Sequence, residues 1–220
     1  MLVPVMLRKG AVLAEPGHDR DDVYFPVTSI ISTVTRMSDG AVVEVGIAGR
    51  EGMSAPSTAF GTAVSMNTVI VQAPGSAHSI LADRFEALLH ADSYLRDRVL
   101  AYMQYSFGAV IQFAACNRRH LIPERFACSL LMASDRMGSS VVQTHEAQAA
   151  TLGVRRAGIS VAAEALAAAG VIKYRRGCLM VLDRERLEAA SCECYAAINE
   201  LLVSCMGYDV RQTPTIPAVA

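Results

Sequence analysis

The 220-residue sequence lacks any stretch of about 20 uninterrupted apolar residues, the length that a membrane span needs, although 52% of its residues are hydrophobic. It also lacks an internal repeat, a low-complexity segment and an N-terminal pattern of a cationic region, an apolar region and a cleavage site. We therefore expect a cytoplasmic protein with no membrane partner. The length is sufficient for two small domains, each with its own core.

An excess of charge of either sign is missing too. The chain has 20 Lys and Arg against 21 Asp and Glu, a formal net charge of −1. Any surface that binds nucleic acid must therefore be a local one. Between Ser139 and Gly177 there is such a local bias, with five Lys or Arg residues against two Asp or Glu.

The sequence has no Cys-x-x-Cys pair and no histidine at zinc-finger spacing from its cysteines. Its six cysteines all lie in the C-terminal half, at positions 116, 128, 178, 192, 194 and 205. The segment from Arg184 onward has a helical pattern, in which Cys192 and Cys194 would point to different sides. We interpret the cysteines as reduced, buried thiols rather than a metal or redox site, and we expect no metal and no cofactor.

The most informative stretch is residues 144–183, where two short helical patterns flank Gly153. Thr144 can cap the first helix, and Gly153 supplies the tight turn that a helix-turn-helix needs. The second helix is predicted from Val154 or Arg155 to Ala169. Its inward stripe has helical spacing and consists of Ile159, Ala162, Ala163 and Leu166.

Arginines lie on the face of this second helix that the apolar stripe leaves free. A recognition helix presents its N-terminal residues to base edges, so Arg155, Arg156 and Ser160 are predicted to contact bases. Two strand-like runs follow, joined by a basic turn that contains Gly177, which predicts a hairpin wing. The predicted phosphate contacts are Thr144, His145, Lys173, Arg175 and Arg176. The alternative is an ordinary surface helix pair with a solvated run of charge.

The N-terminal part is rich in β-branched runs separated by turn clusters, which predicts an antiparallel barrel or jelly roll. The clearest hairpin signal is Ser38-Asp39-Gly40. Predicted strands are residues 10–13, 22–25, 29–35, 42–47, 68–71 and 77–81.

A long helix is predicted from Asp92 or Ser93 to Arg119 or His120, and it carries two apolar stripes. The first, a heptad-like seam, is assigned to a homodimer interface and consists of Val99, Met103, Ser106, Val110, Phe113 and Asn117. The second has seven-residue spacing and consists of Leu100, Phe107, Ala114 and Leu121. A helix buried within a monomer is the alternative explanation for two stripes.

Pro123 suits the first turn of the next helix and restricts Ile122, so a hinge is expected at residues 120–122. The predicted fold is α+β. Its parts are an N-terminal antiparallel β-roll at 1–91, a long dimerisation helix and hinge at 92–122, a winged helix-turn-helix at 123–208 and a disordered tail at 209–220.

This order of elements resembles the Crp–Fnr family of bacterial transcription regulators, and the resemblance covers residues 7–191. Its most specific parts are residues 144–153 with Arg155, Arg156 and Ser160, and the stretch 123–133 after the hinge. Leu7-Arg8-Lys9-Gly10 resembles the opening of the family's β-roll, and residues 49–52 resemble its glycine-containing turn. The resemblance implies a homodimer that binds a palindromic operator in double-stranded DNA, with RNA polymerase as a further candidate partner.

The chain departs from the family's pattern where cyclic nucleotides bind. Members that bind them have a glutamate for the ribose and an arginine for the phosphate after the glycine-containing turn, whereas residues 53–68 contain no acid and no base. A buried phosphate without a cation is costly, so cyclic AMP binding in the family's usual mode is not expected. Iron–sulfur members have N-terminal cysteines, and this chain has none before Cys116. Ala157 and Val161 also differ from the family's recognition helix, which predicts a different operator.

We therefore predict a non-enzymatic, sequence-specific DNA-binding regulator whose β-roll lacks the usual nucleotide contacts. One alternative is a regulator that senses an uncharged or apolar effector in the β-roll, since this region contains residues such as Ala55, Pro56 and Phe60. Another is a β-barrel metalloenzyme with a helical appendage, but Glu44 and His78 are too few to form its metal site.

Overall fold

The structure, a computed structural model, describes residues 1–19, 21–61, 64–175 and 177–212. Its N-terminal part contains two antiparallel sheets, which confirms the predicted β-roll. One sheet has the order β1-β7-β3 and the other the order β2-β6-β4-β5. The strands are β1 (Val3–Leu7), β2 (Val12–Ala14), β3 (Asp22–Pro26), β4 (Ile30–Arg36), β5 (Val42–Ala48), β6 (Thr68–Ala73) and β7 (Gly75–Leu81).

The hairpin between β4 and β5 forms where the turn residues predict it. Gly40 has a φ of +85°, a conformation that glycine adopts without strain. Met37 N donates to Ala41 O at 2.8 Å, and Ala41 N donates to the carboxylate of Asp39 at 2.9 Å. This turn fixes the register of the two longest strands of the larger sheet.

Strand β1 was not predicted, since the first predicted strand begins at Gly10. It pairs along its length with β7, from Val3 opposite Ser79 to Leu7 opposite Gly75. Met6 is 72% exposed and Leu7 is buried, the alternation of a strand with one face on a core.

Three helices follow the sheets. They are α1 (Ala82–Ala91), α2 (Ser93–Arg119) and α3 (Ile122–Met137). Asp92 caps α2 by accepting a hydrogen bond from Leu95 N at 3.1 Å, and Pro123 lies in the first turn of α3. Between α2 and α3 the chain is extended at His120 and Leu121, which confirms the predicted break. Among the described helices, α2 is long and apolar enough to cross a membrane by length and composition.

The C-terminal part is a second α/β unit that contains the predicted helix-turn-helix and wing. A three-stranded sheet has the order β8-β10-β9. The elements in chain order are β8 (Ser140–Val141), α4 (His145–Leu152), α5 (Arg156–Ala168), β9 (Ile172–Arg175), β10 (Cys178–Val181), α6 (Arg184–Ala190) and α7 (Cys194–Met206).

The main hydrophobic core is continuous from the base of the β-roll to the C-terminal unit. It begins at Val23 and Ile80, passes through α2 and α3, and includes Ile159 of α5 and Leu202 of α7. A smaller cluster lies within the β-roll around Ile31. The two parts of the chain therefore share buried contacts along α2 and α3.

Two predictions about the C-terminal region are wrong. The segment from Arg184 is not one continuous helix, because α6 ends at Ala190 and the chain breaks before α7 begins at Cys194. The tail is not disordered throughout, since Val210 is only 1% exposed and its carbonyl accepts a hydrogen bond from Arg50 at 3.0 Å. Residues 213–220 lie outside the described residues.

Candidate nucleic-acid interface and sensor cavity

The helix-turn-helix is built from local signals in the sequence. The hydroxyl of Thr144 accepts a hydrogen bond from Ala147 N at 3.1 Å and so caps α4. Gly153 ends α4 in the left-handed conformation, with a φ of +62° and a ψ of 38°. Ile159 and Ala162 are fully or almost fully buried, so the predicted inward stripe of α5 holds this helix against the core.

The predicted base-reading arginines are exposed on the outer side of this unit. Arg155 is the N-cap of α5 and Arg156 is its first residue. The Arg156 side chain is 67% exposed, and its Nε lies 3.7 Å from a carboxylate oxygen of Glu146, itself 82% exposed. A solvent-exposed ion pair of this kind contributes little to stability, so Arg156 can exchange this partner for a ligand at small cost.

His145 and Ser160 connect the start of α4 to α5 and the wing. The Nδ1 atom of His145 lies 3.3 Å from the hydroxyl of Ser160, and its ring lies 4.6 Å from the ring of Tyr174 in β9. Burial and then the positive charge of Arg156 lower the pKa of His145, which keeps the ring neutral at neutral pH. The contacts of His145 with phosphate and of Ser160 with a base stay predictions.

The wing is the hairpin of β9 and β10. Its register places Leu179 opposite Tyr174 and Met180 opposite Lys173. Gly177 turns the chain with a φ of +81°, and its N–H donates to the hydroxyl of Tyr174 at 3.2 Å. Lys173 and Arg175 are exposed on the same hairpin, whereas Arg176 lies outside the described residues. Thr144 lies beside the turn of this hairpin, since a Cβ atom at Gly177 would lie 3.6 Å from Cγ2 of Thr144.

The predicted dimer seam of α2 is largely used within the chain. Val99 is 5% exposed and belongs to the main core. Met103, Ser106 and Phe113 face a cavity between α2 and the β-roll. Val110 lies at the edge of this cavity and is 42% exposed, and Asn117 is exposed. The assignment of the whole seam to a dimer interface is therefore wrong for Val99, because the chain's own core buries it.

The second stripe of α2 is the exposed one. Phe107 is 71% exposed, Ile111 55% and Leu100 39%. Ala114 is exposed on the same helix, and Leu121, just beyond its end, is 71% exposed. We call Leu100, Phe107, Val110, Ile111 and Ala114 the exposed stripe of α2. Of the predicted seam, only Val110 belongs to this exposed stripe, and its place in a dimer interface stays a prediction.

The cavity between α2 and the β-roll has a volume of about 260 Å³. Strands β5 and β6, the segment 53–57 and α2 supply its walls, and none of the described residues that line it carries a charge. The lining includes Met53, Ala55 and Pro56 from the region that the sequence identified as apolar, together with the phenol rings of Tyr102 and Tyr105. Burial raises the pKa of both tyrosines, so their hydroxyls stay neutral.

The glycine-containing turn at residues 49–52 contacts the C-terminal unit. Glu51 pairs with Arg136 of α3, with carboxylate-to-guanidinium distances of 2.7 and 2.8 Å, and the two side chains are 0% and 3% exposed. Arg50 Nη2 donates to the carbonyls of Asp135 and Val210 at 3.1 and 3.0 Å. A Cβ atom at Gly49 would lie 2.9 Å from Cγ of Arg136, so this close approach needs a glycine. No local pattern in the sequence predicts this ion pair, because its partners lie 85 residues apart.

Comparisons with known proteins agree with this geometry. A family model described as a Crp-like helix-turn-helix domain matches residues 124–190. No curated protein sequence matches the chain. Among solved structures, FixK2 from Bradyrhizobium japonicum is 16% identical, with a TM-score of 0.73 over 87% of this chain and 98% of FixK2.

Two further solved structures have the same fold. TTHB099, a CRP-family transcriptional regulator from Thermus thermophilus, is 17% identical, with a TM-score of 0.70 over 86% of this chain and 99% of its own. A transcriptional regulator of the crp/fnr family from Eubacterium rectale is 18% identical, with a TM-score of 0.67 over 86% and 89% of the two chains. The chain thus has the fold of the Crp/Fnr transcriptional regulators and contains a Crp-like helix-turn-helix domain, which confirms the resemblance seen in its sequence.

Proposed function

We propose that the protein is a homodimeric, sequence-specific DNA-binding transcription regulator. The observation that carries this proposal is the exposed N-terminal turn of α5, which carries Arg155 and Arg156, in a unit whose wing carries the exposed side chains of Lys173 and Arg175. Arginine can bind the O6 and N7 atoms of guanine through two hydrogen bonds, and cations on a wing bind phosphates of any sequence. The rest of α5 is anchored in the core, so these side chains are presented from a rigid support.

A homodimer is supported by the exposed stripe of α2. Large apolar side chains that lie exposed at helical spacing on one face of a 27-residue helix are typical of an interface. A second copy of the same helix is the partner that a two-fold axis supplies, and two copies of α5 would then read two inverted half-sites. RNA polymerase stays a candidate partner of the assembled dimer.

Arg156→Ala should cost about 1–3 kcal/mol at one base pair of each half-site and relax the base preference there. Arg175→Ala, the matched control in the wing, should weaken binding to all sequences alike. It should also reduce, by about one unit, the steepness with which the logarithm of the binding constant falls with the logarithm of the salt concentration. We expect the same control behaviour for Lys173→Ala. Binding-site selection from random DNA at two salt concentrations measures both effects. An unchanged consensus with Arg156→Ala, or a changed one with Arg175→Ala, would show that α5 is not the recognition helix.

We further propose that the β-roll does not bind cyclic nucleotides in the family's usual mode. The support is the uncharged lining of the cavity, which offers no cation for a cyclic phosphate. The cavity favours an uncharged, mainly apolar effector, because its lining is uncharged and mostly apolar. A protein that binds such an effector in its β-roll would still be a DNA-binding transcription regulator.

Cyclic AMP and cyclic GMP at millimolar concentration should leave the melting temperature of the protein unchanged. A ligand at a hundredfold excess over its dissociation constant would stabilise the folded state by about 2.7 kcal/mol, a shift that thermal unfolding detects easily. ATP at the same concentration is the control for weak binding of phosphates. A shift with either cyclic nucleotide that ATP does not cause would contradict the assignment of this cavity.

A further inference from the structure

Four potential metal ligands meet where the C-terminal end of α2 contacts the start of α7. Cys116 lies in the last turn of α2 and His120 directly follows that helix, while Cys192 lies in the break between α6 and α7 and Cys194 is the first residue of α7. Their three sulfur atoms and a ring nitrogen of His120 all lie within 4.8 Å of one another. The break at residues 191–193 allows Cys192 and Cys194 to meet in one cluster. In a continuous helix these two cysteines would point to different sides.

Two distances within this cluster are close to those of a tetrahedral zinc site. Sγ of Cys116 lies 3.6 Å from Sγ of Cys192, and Sγ of Cys194 lies 3.5 Å from Nδ1 of His120. With Zn–S bonds of about 2.3 Å and a Zn–N bond of about 2.1 Å, tetrahedral angles place two sulfur ligands about 3.8 Å apart and a sulfur and a nitrogen about 3.6 Å apart. In a [4Fe–4S] cluster each ligand binds a different iron atom, so the four ligand atoms need wider spacing than this.

The surroundings orient the ligands as an outer shell does in zinc proteins. Nε2 of His120 lies 2.9 Å from a carboxylate oxygen of Glu193, which fixes the tautomer that leaves Nδ1 free to bind a metal. Nε2 of Gln112 donates a hydrogen bond to Sγ of Cys194 at 3.1 Å. Hydrogen bonds to sulfur stabilise a thiolate, which is the form that binds zinc.

The cluster is closed to solvent, as structural metal sites are. Cys116, Cys192 and Cys194 are 4%, 5% and 0% exposed, and the side chain of His120 is 17% exposed. Isolated buried thiols would explain low exposure, but they would not explain an oriented imidazole at ligand distance from one of them.

We propose that Cys116, His120, Cys192 and Cys194 form a structural site for one Zn²⁺ ion per chain. Binding converts the three thiols to thiolates and releases their protons to solvent, while the neutral imidazole binds through Nδ1. The ion joins the end of the long helix to the loop that starts α7, directly beside the hinge at Leu121. This proposal stands independently of the DNA-binding proposal.

The full-length protein, expressed with zinc in the medium, should contain one Zn²⁺ per chain by elemental analysis. Removal of the ion under reducing conditions should lower the melting temperature by on the order of 5–10 °C, and an equimolar amount of Zn²⁺ should restore it. Substitution with Co²⁺ should give the intense visible bands of a tetrahedral site and thiolate-to-cobalt charge transfer in the near ultraviolet.

Variants separate this site from the other cysteines. Cys194→Ser should lose stoichiometric Zn²⁺ and the tetrahedral Co²⁺ spectrum, and His120→Ala should weaken both. Cys205→Ser, which removes another thiol of α7, is the matched control and should keep both. If Cys194→Ser does not fold, the Co²⁺ spectrum of the unmodified chain still decides the question.

Other results would overturn the proposal. They are a metal-free protein with an octahedral Co²⁺ spectrum, a disulfide between Cys116 and Cys192 in protein that binds no Zn²⁺, or the broad visible absorption of an iron–sulfur cluster.

Discussion

Arg136→Met should lower the free energy of unfolding by about 3–5 kcal/mol, the cost of leaving a buried charge without its partner. The carboxylate of Glu51 is 0% exposed, and one of its oxygens accepts hydrogen bonds from Arg136 Nε at 2.8 Å and from Gly49 N at 3.0 Å. Its other oxygen, also buried, has no hydrogen-bond partner among the described residues. The charge of Arg136 is therefore the main compensation for burial of Glu51.

The double variant Glu51→Gln with Arg136→Met should recover part of the lost stability, because it removes both charges. Arg211→Met is the matched control, since Arg211 pairs with Asp209 at the surface. This substitution should lower the free energy of unfolding by at most about 1 kcal/mol. Urea unfolding of the four proteins measures these differences. A cost for Arg136→Met no larger than that for Arg211→Met would show that the β-roll and α3 are not joined through this pair.

Phe107→Glu should weaken self-association by a factor of about 100 to 10,000. Burial of one such ring contributes about 1.5–3 kcal/mol, and a two-fold interface contains two copies of it. Phe107 is 71% exposed in the single chain, so the substitution removes no contact of the monomer's core and the monomer should stay folded. Operator binding should weaken together with dimerisation.

The control for this variant is Met6→Glu, which places the same charge on an apolar side chain that is 72% exposed on β1. It should leave association unchanged. Sedimentation equilibrium over a range of concentrations measures both variants and the unmodified protein. A monomeric unmodified protein at micromolar concentration, or equal effects of the two variants, would contradict an interface on the exposed stripe of α2.

Features that depend on neighbouring residues could be predicted from the sequence. The cap at Thr144, the left-handed turn at Gly153 and the proline that starts α3 each act within one helical turn, so the helix-turn-helix and the hinge follow from local chemistry. The hairpin at Ser38-Asp39-Gly40 forms for the same reason. The wing was also predictable, because its two strands are adjacent in the chain.

Features that depend on contacts between distant parts of the chain could not be predicted from local sequence patterns. Val99 and Phe107 are both apolar residues of one amphipathic helix, and only the packed fold shows that the core buries Val99 and leaves Phe107 exposed. The pairing of Glu51 with Arg136 joins residues 85 positions apart. The cysteine cluster was missed because the helical pattern after Arg184 hides the break that brings Cys192 and Cys194 to one place.

The consensus that the unmodified protein selects from random DNA tests the central proposal most directly. A homodimer that reads DNA with α5 should select two inverted half-sites whose centres lie about 34 Å, one helical turn, apart. Because the chain has Ala157 and Val161 on its recognition helix, the half-site should differ from the one best known for the family. Selection of no consensus, or of a single half-site without its inverted repeat, would contradict the account.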